Sequence, residues 1–78
     1  MGNKKSVRRI RFEKVAARRV QKIIDFMDSL ANCANTGNYE YTSEDVRKMF
    51  KAIKDQLGNT EAAFSKQMMK EEKNSFKF

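Results

Sequence analysis

The sequence contains no histidine. Without an imidazole it has no Ser-His-Asp or Cys-His arrangement for nucleophilic catalysis, and a metal site loses its commonest ligand. Cys33 is the single cysteine. No disulfide can form within one chain, and a lone thiol fits a reducing, intracellular setting. Three glycines, at 2, 37 and 58, are too scattered for a loop that cradles phosphates. There is no proline, internal repeat or low-complexity tract, and no signal-peptide pattern. No apolar run approaches the ~20 residues that a membrane span needs. Paired carboxylates occur, Glu44 with Asp45 and Glu71 with Glu72, but on helix surfaces or ends, where solvation accounts for them. These absences argue against an enzyme and against any metal or cofactor.

Seventy-eight residues make one domain at most. A chain of this length buries a small fraction of its surface and is marginal alone. With disulfide and metal set aside, helix packing and self-association are left to stabilise it. The formal charge of +7 is uneven. Residues 1–22 carry nine Lys or Arg and one acid, a net of +8, and residues 23–78 carry eight bases and nine acids, a net of −1. Such a basic block points to nucleic acid, an anionic membrane surface or an acidic protein. The plain alternative is a solubilising tail.

The stretch from Phe12 to Ala34 organises the chain. At about 100° per residue, Phe12, Ala16, Val20, Ile23, Ile24, Met27, Leu30, Ala31 and Ala34 fall within roughly a third of a turn, the stripe of an amphipathic helix. A first helix over about 8–34 is expected, preceded by a disordered basic tail, 1–7. Ser6 is a candidate N-cap, although position 9 is Arg and not the Glu or Gln of a capping box. Arginines in that first turn oppose the helix dipole, so the turn is expected to fray unless a polyanion binds. Asn32, Asn35, Thr36, Gly37 and Asn38 form a turn cluster, with Asn35 or Gly37 suited to a left-handed C-cap.

The second helix, expected over about 43–71, has the clearest start. Thr42 is an N-cap, Glu44 and Asp45 place acids in the first turn, and Asp45 stands where the capping-box acid belongs. Its stripe runs Val46, Met49, Phe50, Ile53, Leu57, Phe64 and Met68. Gly58-Asn59-Thr60 is ambiguous: a C-cap followed by a new N-cap would start a third helix, whereas Leu57 and Phe64, seven apart, favour one long helix. Residues 73–78 lose the pattern and should fray, with Phe76 and Phe78 as two unplaced aromatics.

The expected fold class is therefore all-α, an antiparallel two-helix hairpin with its helical domain over 8–72. Helix 1 exposes more apolar width than one partner helix covers. Val15, Phe26 and Cys33 add a second line beside the basic face. This favours a homodimer, a four-helix bundle with Val15, Phe26, Ile24 and Ala31 at its interface, or docking on a protein partner. A monomer folded as a three-helix bundle, broken at Gly58, is the alternative.

Arg8, Arg11, Lys14, Arg18 and Lys22 are spaced three, three, four and four apart and so line one helix face. Arg9 and Arg19 flank it, and Lys4 and Lys5 precede it. A row of this kind follows a phosphate backbone, with affinity from counterion release. Only Asn3, Ser6 and Gln21 lie among the cations for base readout, so backbone or shape recognition of DNA or RNA is expected. Tyr39 and Tyr41 are either base-stacking aromatics or a seal for the loop end. The start Met1-Gly2-Asn3-Lys4-Lys5-Ser6 matches the M-G-x-x-x-[ST] acylation pattern, a route to a membrane surface where the host has the transferase.

Arg11-Phe12-Glu13-Lys14-Val15-Ala16, Leu30-Ala31-Asn32-Cys33-Ala34-Asn35, Asn38-Tyr39-Glu40-Tyr41-Thr42 leading into Asp45-Val46, and Phe50-Lys51-Ala52-Ile53 together resemble small uncharacterised proteins of low-GC Gram-positive bacteria and their mobile elements. The resemblance spans about residues 11–64. It implies a bacterial cytoplasmic protein, which disfavours acylation, and it supplies no function and no site residues. The leading expectation is a small nucleic-acid-binding or accessory protein. The runner-up is a protein-interaction module.

Overall fold

The computed structural model describes residues 6–73, with side chains through residue 70. The described residues are all helical or loop, with no strand. The chain divides into two units, Met1–Glu40 and Tyr41–Phe78, and each carries one long α-helix.

In the first unit, α1 spans Val7–Ala31. It starts one residue earlier than the periodicity indicated, because Ser6 caps it. The Ser6 hydroxyl accepts from the Arg9 amide at 3.0 Å, and the Ser6 carbonyl accepts from the Ile10 amide at 3.1 Å. The arginine-rich first turn is thus helical from Val7 onward. The expected tail is shortened accordingly, and residues 1–5 lie outside the described part. The reciprocal half of the capping box is missing, as an arginine at position 9 requires.

The α-helix also ends earlier than expected. Asn32–Ala34 is a 3-10 turn, so only residues to Ala31 are α-helical. The left-handed C-cap proposed at Asn35 or Gly37 does not form: no described residue has positive φ. Asn35 is extended, with φ −68° and ψ 105°, and its side chain does other work. Its Oδ1 accepts from the Gly37 amide at 2.9 Å, an Asx-turn. Its carbonyl accepts from the amides of Asn38 and Tyr39 at 3.1 and 3.0 Å. Asparagine here caps the turn that follows and does not close the helix that precedes.

In the second unit, α2 spans Ser43–Lys73 without interruption, two residues beyond the expected end. Thr42 and Asp45 form the reciprocal cap. Thr42 Oγ1 accepts from the Asp45 amide at 3.1 Å, and Asp45 Oδ2 accepts from the Thr42 amide at 2.9 Å. The alternative break at Gly58 is absent. Thr60 donates its hydroxyl to the Gln56 carbonyl at 2.9 Å. This back-bond keeps the threonine inside a helix. Residues 74–78, including Phe76 and Phe78, lie outside the described part.

No described side chain is buried. The two helices are held locally, by caps and by exposed ion pairs: Arg9–Glu13 at 3.0 Å, Glu44–Arg47 at 2.7 Å and Lys51–Asp55 at 2.9 Å. Such pairs contribute about 0.2–0.5 kcal/mol each.

Two substitutions in α2 test this description through its thermal midpoint. Thr42→Ala removes one half of the reciprocal cap and should cost about 1 kcal/mol. Gly58→Ala should stabilise by about 0.5–1 kcal/mol, because an added Cβ meets nothing within 4 Å. Loss of stability on Gly58→Ala would mean that the helix is broken there in solution.

Candidate nucleic-acid interface

The cap at Ser6 fixes the phase of α1, so every cation from Arg8 to Lys22 is carried on one uninterrupted helix. At about 100° per residue, Arg8, Arg11, Lys14, Arg18 and Lys22 leave that helix within an arc of about 120°. The apolar stripe is centred about 160° away. From Arg8 to Lys22 the row runs about 21 Å along the axis, the length of about six base pairs of B-form duplex.

All five of these cations are exposed, and among the described residues none of the five is in an ion pair. Their charge therefore faces solvent without local neutralisation. Downstream on α1 the sign changes, at Asp25 and Asp28. The helix has no acid in its first turn and no base in its last, the reverse of what the dipole favours at both ends.

The flanking cations differ from the row. Arg9 lies about 200° around the helix from Arg11, on the side of the stripe. Its Nε donates to Glu13 Oε2 at 3.0 Å, and its guanidinium stands over the Phe12 ring at 5.6 Å from the centroid. Arg9 is thereby committed to its own helix. The i,i+4 spacing to Glu13 and i,i+3 spacing to Phe12 were in the sequence, but the count of positive charges obscured them. Arg19 is exposed at the border between the row and the stripe. Lys4 and Lys5 lie outside the described residues.

Two of the three residues available for base readout are engaged. Gln21 Nε2 donates to Asp25 Oδ1 at 2.9 Å, and Ser6 caps α1. Asn3 lies outside the described part. Tyr39 and Tyr41 are both exposed in the loop. Cys33 is exposed within the 3-10 turn. The Glu44–Asp45 pair is occupied locally, Glu44 with Arg47 and Asp45 with the Thr42 amide. The side chains of Glu71 and Glu72 lie outside the described part.

The four apolar interface candidates fall on two edges. Val15 and Phe26 border the basic row, and Phe26 is 75% exposed. Ile24 and Ala31 lie at the opposite edge of the stripe, with Ile24 48% exposed. No helix among the described residues is long and apolar enough to cross a membrane. No protein-family model, characterised protein or solved structure matches the chain.

The charge conflict at the start of α1 has a measurable consequence. Arg8→Glu puts an acid in the first turn and should stabilise α1 by about 0.3–1 kcal/mol at low ionic strength. Far-UV circular dichroism would show this as higher helicity, fading as salt is added. An unchanged spectrum would mean that the arginine imposes no cost on the helix.

Proposed function

We propose that this chain is a small non-enzymatic nucleic-acid-binding or accessory protein that lays the basic face of α1 along a phosphate backbone. The observation that carries this reading is the row Arg8, Arg11, Lys14, Arg18 and Lys22, exposed on one continuous helix and unpaired among the described residues. Local ion pairs elsewhere in the chain make the contrast: Arg47 and Lys51 have acids within 3 Å, and the row has none. Engagement of Gln21 and Ser6 supports backbone contacts in preference to a sequence code.

The same reading takes the chain as an antiparallel hairpin that forms a homodimer in a bacterial cytoplasm, with each helix covering apolar surface of another. The wide stripe of α1 supports self-association. The second reading, a module that docks on a protein partner, draws on Phe26, a large apolar side chain exposed beside the cations.

Binding to a generic duplex should weaken steeply with salt. If all five cations neutralise phosphates, the slope of log K against log salt is about −4 to −5, or about 500-fold between 50 and 200 mM. Arg11→Glu with Arg18→Glu should abolish binding and leave helicity near wild type. Lys51→Glu with Lys54→Glu on α2 should alter binding much less. Absence of any binding to DNA or RNA at about 50 mM salt would defeat the nucleic-acid reading and promote the protein partner. Loss of binding on Phe26→Ala and not on the arginine reversals would do the same.

A further inference from the structure

The stripe of α1 is wider than one seam, and its Ile24 edge has its own register. Ile10, Ala17, Ile24 and Ala31 recur every seven residues, and Val20, Met27 and Ala34 follow the last three at a spacing of three. This 3-4 alternation is that of a coiled-coil seam. On a helix running unbroken from Val7 to Ala31, the positions from Ile10 to Ala31 form an apolar edge distinct from the one headed by Phe12 and Leu30, and Ala34 follows in the 3-10 turn. Ile24 and Val20 on this edge are 48% and 53% exposed.

We propose that this edge binds the same edge of a second copy, antiparallel, with the two-fold axis at the level of Lys22 and Gln21 flanking it. Charge complementarity selects the occupant and the direction. Lys14 and Asp28 border the seam, fourteen residues apart on opposite sides of Gln21. Both are exposed, and neither has an ion-pair partner among the described residues. In an antiparallel pair centred on Lys22, each Lys14 lies within about 3 Å, along the axis, of the other copy's Asp28. In a parallel pair, Lys14 meets Lys14 and Asp28 meets Asp28.

The apolar positions agree with that register. Within α1, Ala17 stands opposite Met27 and Val20 opposite Ile24, the first layer setting a small residue against a large one, and Ile10 meets the 3-10 turn that holds Ala34. Glu13, already paired to Arg9, stands opposite Ala31. The antiparallel arrangement also brings the carboxyl end of one helix, with its Asp28, beside the arginine-bearing amino end of the other. The dipole conflict of α1 is thereby relieved at both ends. The other four cations of the basic row, Arg8, Arg11, Arg18 and Lys22, leave the helix from the other side and stay free. This inference specifies the self-association proposed above and does not depend on nucleic-acid binding.

The test is a charge swap read by sedimentation in the absence of nucleic acid. Lys14→Glu alone and Asp28→Lys alone should each weaken the dimer by about tenfold at low salt. The double variant should restore it to near wild type, a rescue that misfolding cannot mimic. Orientation is read separately, in a Cys33→Ser background under mild oxidation. Gln21→Cys should cross-link readily between copies. Lys14→Cys should not, because the two positions lie about 24 Å apart along the axis. A wild-type chain that stays monomeric at 100 μM, on the order of the weakest specific association, overturns the proposal. So does a dimer in which the swap fails to rescue, or in which Lys14→Cys cross-links with itself.

Discussion

The positive end of an α-helix dipole repels cations, and this chain begins its first helix with Arg8, Arg9 and Arg11. Ser6 offsets part of the cost by capping one amide. Arg9 offsets another part by pairing with Glu13 and lying over Phe12. Among the described residues, none of the remaining row is in an ion pair. Both proposed partners would supply negative charge to it: a phosphate backbone along the row, and the carboxyl end of a second α1 along the Ile24 edge. The two faces share only Lys14, and Arg8, Arg11, Arg18 and Lys22 lie away from the Ile24 edge.

Burial sets the second constraint. Caps and exposed ion pairs hold each helix locally, but no described side chain is buried, and isolated helices in water draw little stability from propensity alone. Phe12, Ile23, Phe50, Leu57 and Phe64 stand exposed on apolar stripes. A helical chain of this size gains its stability by covering such stripes, within one copy or between two. Self-association is therefore part of the functional proposal and not an ornament to it.

Much of the fold was legible in the sequence because the signals were local. The all-helical class follows from two clean 3.6-residue patterns. The start of α2 follows from Thr42 and Asp45, whose reciprocal hydrogen bonds need only three residues of chain. Leu57 and Phe64 on one face gave one helix through Gly58, and the Thr60 back-bond to Gln56 explains why the capping residues there do not cap. The end of α1 was misplaced because asparagine serves two turn types. Asn35 and Gly37 both suit a left-handed cap by residue type, but the Asn35 side chain instead accepts from the Gly37 amide. In the candidate site, the phase of Arg8, Arg11, Lys14, Arg18 and Lys22 was readable from spacing alone. The separate behaviour of Arg9 was not, because counting cations does not ask which of them already has an acid one turn away.

The central claim is that a polyanion binds along the amino-terminal half of α1. Amide hydrogen exchange over Ile10–Lys14, with and without a short DNA duplex at about 50 mM salt, tests it most directly. Protection should rise in that segment on binding and return to the free value as salt is raised, while α2 changes little. Unchanged exchange over Ile10–Lys14 in a complex that has formed, or a rise confined to α2, would contradict it.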